Sequence, residues 1–457
     1  VDAIPDNARP LTNRESILYA APWCAYAFIM LPLGVVVPTF YAESTAAPMA
    51  AIGVVTGISR LFDGITDPLI GYLSDRTRSR FGARKPWIVA GSTITCVAIF
   101  FLFRPNHESG IVYYTVASFA LFLGYAMFDI PHKAWGAEVT VSYDDRSRVS
   151  GQVSIAQVAG SLLFWVVPLM LFPFTGTKAI DGNALGTIAW LFIALLPLCV
   201  AAAVGWVPNG QPLAQSQMDV RGLLVSIRRN RPLWRFVAAV ATWGIGQGVY
   251  LSVVFVFMRD YVQLGEQFAI LMIVFFVVQF VSMPVWVRLM YRFGKHRSWA
   301  FSWGFGALWS PLVLLLPRGP DAFVPVMCLM CVSAFVNAAS YIAPRALLGD
   351  IVDYDMLKTR ANNAGNYFAF STLLDKALFG IGVAVAFPLL SLFGYRIGMP
   401  NDAHANAGLL VCYLLVPLCT HLTAASILWN FPIDARRHAV IRARLEQRVQ
   451  RAARLAA

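Results

Sequence analysis

The stretch from Arg60 to Trp87, "RLFDGITDPLIGYLSDRTRSRFGARKPW", sets two carboxylates inside an apolar segment and then empties into a run of cations. Asp63 and Asp67 stand four residues apart, so on a helix they share one face, with Thr66 beside them. A charged group at the bilayer centre costs about 2.5–3.5 kcal/mol on insertion scales, and acids a turn apart also repel. Two carboxylates with a hydroxyl or carbonyl oxygens are ligands that a small hard cation can use. With one acid protonated, the same pair carries a proton. The alternative is that both acids pair with nearby basic residues and only hold helices together.

Composition places this stretch in a membrane. The 457 residues are 58% hydrophobic and 13% charged, with a mean hydropathy of +0.62. Ordinary globular chains carry about a quarter charged residues. Apolar runs such as "WCAYAFIMLPLGVVVPTFYA" approach the roughly 20 residues that a spanning helix needs. The net charge of +12 sits in short connections and in the tail "ARRHAVIRARLEQRVQRAARLAA", with no aromatic platform for nucleic acid. It reads as the positive-inside rule plus a basic helix in the cytoplasm or on anionic lipid. The seven cysteines are scattered; Cys328 and Cys331 have zinc-like spacing without a second ligand pair, so they read as buried thiols. The polar start leads into the first span without a cleavable signal peptide.

The expectation is an all-α polytopic membrane protein with twelve spans, near 17–41, 48–73, 86–103, 111–132, 150–172, 186–206, 234–258, 266–290, 298–317, 322–347, 364–393 and 407–431. Basic clusters follow the even-numbered spans: Arg76 to Lys85, Arg146 and Arg148, Arg221 to Arg231, Arg288 to Arg297, then Lys358 and Arg360. The other connections hold stray cations such as Arg104, Lys178, Arg259, Arg318 and Arg396. Both termini are therefore expected in the cytoplasm, with the chain in the inner membrane. Residues 1–206 form a first six-helix half, 207–233 a cytoplasmic linker, 234–431 a second half and 432–457 a basic tail. An internal repeat supports duplication: "RFGARKPW" at 80–87 is answered by "RFGKHRSW" at 292–299. That offset carries Asp63 and Asp67 onto Phe275 and Gln279, so the second half keeps the scaffold and drops both acids.

Other polar groups fall within the spans. Asp129 in "GYAMFDIPHKAWGAE" is followed by Pro131, His132 and Lys133. It can accept hydrogen bonds from substrate hydroxyls, or neutralise Lys133 one turn on. Lys376 adjoins Asp375 in the eleventh span; neighbours point about 100° apart, so they do not simply satisfy each other. Gln247, Gln279, Asn337, Ser340 and Tyr341 place neutral polar groups in the second half, with Asn337 and Tyr341 at helical spacing. Such groups line a cavity or bridge helices. In "GYLSDRTRSRFGARK", Asp75 with Arg78 and Arg84 suggests a cytoplasmic latch. Asp350, Asp353 and Asp355 in "LLGDIVDYDMLKTR" offer a matching acidic cluster.

Together, "RLFDGITDPLIGYLSDRTRSRFGARKPWI", "DIPHKAWGAE", "DDRSR" and "ALLGDIVDYDML…GNYFA…LLDKALF…LFGY" resemble the glycoside–pentoside–hexuronide:cation symporter family of the major facilitator superfamily, over nearly the whole chain. The resemblance implies two pseudo-symmetric six-helix halves. It implies Na⁺ or H⁺ at Asp63, Thr66 and Asp67, and substrate at Asp129 and Lys376. There are departures. The family's sugar-binding acid in span 1 is missing, its span 5 arginine is replaced by Gln152 or Gln157, and the threonine of its cation site is Ala126. Its stacking tryptophan is Lys133 in register, with Trp135 close by.

The resulting expectation is a monomeric symporter that carries a sugar, glycoside or uronate with Na⁺ or H⁺ by alternating access. No other cofactor is expected, and the partners are a small solute and membrane lipid. The candidate substrate contacts are Asp129, Lys133, Gln152, Trp135, Asn337, Tyr341 and Lys376. A lysolipid or other amphiphile is the alternative, because the family's distant relatives include sodium-dependent lysolipid carriers and the first span here is apolar. An enzyme is not expected: His132, His296 and His421 are dispersed and no HExxH or GxSxG occurs.

Overall fold

A computed structural model describes residues 11–140, 143–210, 228–359 and 363–456, and every regular element among them is helical. Most of the expected linker (residues 211–227), with Arg221, lies outside the described residues, as does Arg360. Among the described residues, eleven helical stretches are long and apolar enough to cross a membrane. The chain begins with α1 (Asn13–Val35), α2 (Val37–Ser44), α3 (Met49–Arg76) and α4 (Lys85–Leu102). Then come α5 (Ile111–Val139), α6 (Tyr143–Thr175) and α7 (Gly182–Trp206). After residue 230 follow α8 (Arg231–Val256), α9 (Phe268–Phe293), α10 (Lys295–Trp309), α11 (Phe323–Asn337) and α12 (Ala339–Thr359). The last are α13 (Ala364–Leu392), α14 (Ala403–Leu410), α15 (Val416–Trp429) and α16 (Ala435–Ala456).

The ninth expected span, 298–317, has no counterpart among these eleven. α10 ends at Trp309, and Ser310–Leu315 continues as a 3₁₀ turn. Pro311 lacks an N–H and its ring collides with the carbonyl one turn back, so the α-helical ladder stops there. Proline also interrupts without breaking: Pro68 lies inside α3 and Pro131 inside α5, and each leaves one carbonyl of the preceding turn without its usual donor.

The chain divides into two compact units. The first comprises Val1–Gln215, Leu251–Ile273 and Val383–Leu409, and the second Ser216–Tyr250, Val274–Gly382 and Leu410–Ala457. The first unit thus includes all of the first half and short pieces of the second. Within it, α1 packs on α6 and α7, α3 on α5, and α4 on α5 and α7. Small residues set these approaches, as is common where lipid offers no hydrophobic drive between helices. A Cβ on Gly91 would lie 2.6 Å from the Gly124 carbonyl oxygen, and one on Gly160 would lie 2.0 Å from that of Cys24. Those contacts fix α4 against α5 and α6 against α1.

In the second unit a core of Trp286, Trp299, Trp303, Leu347, Ile351, Tyr367 and Leu428 is supplemented by Ile441 of α16. The Nε1 groups of Trp299 and Trp303 both donate to Ser340 Oγ, at 3.3 and 3.0 Å. This polar residue therefore braces aromatic packing.

The duplication read from the sequence has a local structural counterpart. Gly82 and Gly294, matching members of the two repeats, have φ of 93° and 91°. L side chains rarely adopt that region, so the turn before α4 and that before α10 require glycine. Glu138 and Asp350, 212 residues apart as the repeat demands, each bind a base in their own unit. The bases, Arg84 and Lys295, do not occupy matching positions.

Candidate functional site

In the first unit the acids of α3 are taken away from water. Asp63 is 1% exposed, Thr66 is buried and Asp67 is half-buried. Thr66 Oγ1 donates to the carbonyls of Phe62 and Asp63, both at 3.1 Å, which leaves its lone pairs as the group it can offer a cation. Pro68 cannot donate to Gly64, so a carbonyl oxygen one turn back is also spared. Among the described residues no three His, Cys, Asp or Glu side chains come together as a metal cluster. Two carboxylates with hydroxyl and carbonyl oxygens are a donor set that suits a hard monovalent cation or a proton.

Arg60, which the sequence reading passed over, completes this region. It lies one turn before Asp63, its guanidinium 4.7 Å from the centre of the Phe122 ring and within electrostatic reach of Asp63, Tyr114 and Tyr125. Tyr125 of α5 is in turn within reach of Asp63, Asp67, Asp129 and Arg60. It is therefore the side chain around which the acids of α3 and α5 gather. One turn along α5, Asp129 is 1% exposed and Lys133 Nζ lies 2.8 Å from its carboxylate, while the lysine side chain is 55% exposed. Asp129 is thus paired one turn on, and Lys133 is the exposed member of the pair.

Tyr125 also lines a cavity of about 350 Å³, with Trp23, Tyr26 and Met30 of α1 and Gln157 and Ser161 of α6. That volume is at the small end for ligand pockets. Two contacts fix its aromatic wall: Trp23 Nε1 donates to His132 Nδ1 at 3.2 Å, and Tyr26 OH meets Thr95 Oγ1 at 3.2 Å. Lys133 Nζ lies 5.5 Å from the centre of the Trp23 ring. Trp135, expected as a substrate contact, is instead 1% exposed and donates to the Pro208 carbonyl at 2.9 Å. It packs inside the unit, and Trp23 presents the ring. Gln157 lines the cavity, whereas Gln152 is half-buried in α6 and outside the lining.

The second-unit candidates are differently employed. Gln279 Nε2 donates to Asn337 Oδ1 at 3.0 Å, so these two amides bridge α9 and α11. Tyr341 is 53% exposed, and Lys376 is half-buried on α13.

The latch candidates form clusters, each with partners in its own unit. Arg84 binds Asp75, Glu138 at 2.8 Å and Ser74 Oγ at 2.8 Å. Burial opposes its charge, but the hydrogen bonds it donates to Glu138 and Asp75 outweigh it and raise its pKa. Arg78 is exposed and, among the described residues, makes no ion pair. Asp350 binds Lys295 at 2.6 Å and His438 at 3.2 Å; Asp353 binds His438 at 3.0 Å and Arg442 at 3.3 Å. The basic tail is thus docked on α12 through its acids. Arg259, a stray cation in the sequence, is held by Glu43 at 2.6 Å and Asp260 at 2.7 Å. Asp260 also accepts from Tyr395 OH and Gly398 N, each at 3.2 Å.

The family of MFS/sugar transport proteins matches residues 18–435. The chain belongs to that family. Its glycoside–pentoside–hexuronide:cation symporter character, read from the α3 motif, agrees with the similar proteins. A sodium-dependent lysophosphatidylcholine symporter 1-A of Danio rerio is 21% identical, covering 94% of this chain and 88% of its own. A glucuronide carrier protein homologue of Escherichia coli (strain K12) is 22% identical, covering 90% of each. Among solved structures, a point mutant of the nucleoside transporter NupG superposes with a TM-score of 0.67 at 14% identity, over 92% of this chain and 99% of that one. At that identity the match speaks for the MFS fold alone.

Proposed function

We propose that this MFS transporter is a symporter in which Asp63 and Asp67, with Thr66 and neighbouring carbonyls, take Na⁺ or H⁺. The solute is a sugar, glycoside or uronate. The observation that carries the reading is Tyr125, which lies within electrostatic reach of Asp63, Asp67 and Asp129 and also lines the cavity beside Trp23 and Gln157. A cation that neutralises the α3 acids changes the field at the residue that meets the solute, which is the physical requirement for coupling. The glucuronide carrier homologue supports a sugar acid or glycoside as cargo. We place both termini in the cytoplasm, with twelve crossings, the broken α10 segment being one of them. The basic loops support that orientation. Asp129 and Lys133 would orient hydroxyls or an acidic group, and the Asp75 and Asp350 clusters would brace alternate states.

The test is uptake into proteoliposomes. Asp67→Asn should abolish cation-driven accumulation while solute binding persists, and full accumulation by that variant would refute the assignment. A second reading, a lysolipid cargo, is favoured by the apolar members of the cavity wall, Ala27 and Met30, and by similarity to the lysophosphatidylcholine symporter. A shift in thermal stability with lysolipids and with no sugar would select it.

A further inference from the structure

The repeat that relates Gly82 to Gly294 also carries Asp129 onto Tyr341 and Lys133 onto Arg345. Both halves therefore place a cation one turn after a polar side chain, on α5 and on α12. Only the first half supplies a counter-ion: Lys133 rests on Asp129 at 2.8 Å. In the second half tyrosine stands where that acid would be. Among the described residues Arg345 makes no ion pair within 4 Å and no hydrogen bond through its guanidinium.

The placement of Arg345 makes this consequential. Ala339, Ala343, Leu347 and Ile351 turn one face of α12 into the core, while Tyr341 and Arg345 lie exposed on another. α12 belongs to a helical stretch long and apolar enough to cross a membrane, where an arginine is costly against lipid and is served by water or a polar partner. Asp375 of α13, also exposed, is within electrostatic reach of Arg345 but not bonded to it. The result, among the described residues, is an open guanidinium one turn from an aromatic side chain, with a carboxylate within electrostatic reach and no ion pair between them. Guanidinium donors match carboxylate and phosphate oxygens two at a time.

We propose that Arg345 holds an anionic group of the transported solute, a carboxylate or a phosphate, so that acidic solutes are preferred over their neutral counterparts. Tyr341 packs against the body of the solute beside that group, and Asp375 accepts its hydroxyls. The inference rests on the symport reading above and adds the charge of the cargo to it.

The experiment is thermal-shift binding in nanodiscs with two matched pairs: D-glucuronate against D-glucose, and lysophosphatidylcholine against monoacylglycerol. In the native protein the acidic or phosphate-bearing member of one pair binds more tightly, and which pair responds distinguishes a sugar acid from a phospholipid. Arg345→Gln should weaken binding of that member by about tenfold or more, the usual scale of a hydrogen bond to a charged group. Its neutral partner should be unchanged, and Arg345→Lys should retain part of the preference. Because Arg345 has no ion pair to lose among the described residues, the ligand-free melting temperature should not move. An unchanged acidic-to-neutral ratio in Arg345→Gln overturns the proposal, as does a native protein that prefers the neutral member or responds to none of the four. Repeating each titration in NaCl, in choline chloride and across pH separates the two claims. A cation response that persists while the ratio stays fixed defeats Arg345 alone. A ratio that moves with no cation response defeats the symport reading and leaves Arg345 standing.

Discussion

Arg84 is the residue whose removal should be felt most sharply in the first unit. Its side chain is 11% exposed and that of Glu138 7%, with 2.8 Å between guanidinium and carboxylate; Asp75, the other partner, is 36% exposed. Arg84→Met keeps most of the side-chain volume but leaves Glu138 buried without its cation. Breaking a buried pair from one side costs about 3–5 kcal/mol, because the remaining charge is uncompensated. Asp75→Asn should cost under about 1 kcal/mol, since a carboxylate open to water is screened. For a unit of roughly 200 residues, 3–5 kcal/mol corresponds to a fall in Tm of about 10 °C. The assay is tryptophan-fluorescence melting of purified protein, in a cycle of Arg84→Met, Glu138→Leu and both together. The double variant should recover most of the loss, because no buried charge is left behind. A loss in Arg84→Met no greater than in Asp75→Asn, or a double variant as unstable as the singles together, would refute the argument.

Other substitutions separate packing from function. Gly160→Ala forces a Cβ to 2.0 Å from the Cys24 carbonyl, so α1 and α6 must part; melting should fall by about 1–3 kcal/mol and ligand binding weaken with it. Trp23→Phe should alter solute affinity more than stability, and Trp135→Phe the reverse, since only Trp23 lines the cavity while Trp135 binds the Pro208 carbonyl; calorimetric titration beside melting curves tests this. Asp434 caps α16, accepting from Arg437 N at 2.8 Å, and that hydrogen bond with the nearby arginine charge holds its carboxyl below the ordinary value. A group whose pKa is depressed on folding stabilises above its unfolded value near about 3.9 and loses that contribution as pH falls through the folded one. Amide protection in α16, taken relative to the intrinsic exchange rate at each pH, should therefore fall below about pH 4 in the native protein and be low at every pH in Asp434→Ala.

The family character was legible in residues 60–87 because the α3 acids, the charged loop and the repeated "RFG" turn are local signals. Two acids four apart share a face on any helix, and a glycine at φ near 90° is marked by its identity. The long apolar helices were legible except at α10, where Pro311 shortens a helix whose apolar run continues without a break. The lining of the cavity was not. Helices that are apolar all round carry no periodic signal of which face turns inward. Trp23 and Trp135, or Gln157 and Gln152, are therefore equivalent until α1, α5 and α6 are packed. Arg60 was passed over for the same reason, since only the fold of α3 against α5 puts it beside Phe122 and Tyr125. The sequence by itself determined a polytopic helical membrane protein with two carboxylates on one face of an apolar segment, because composition and short-range spacing suffice for that, while its MFS family rests on the likeness of its motifs to known proteins. Which aromatic faces the cavity, which cation is neutralised and which stands open were decided only by tertiary structure, because each depends on the rotation of one helix against another.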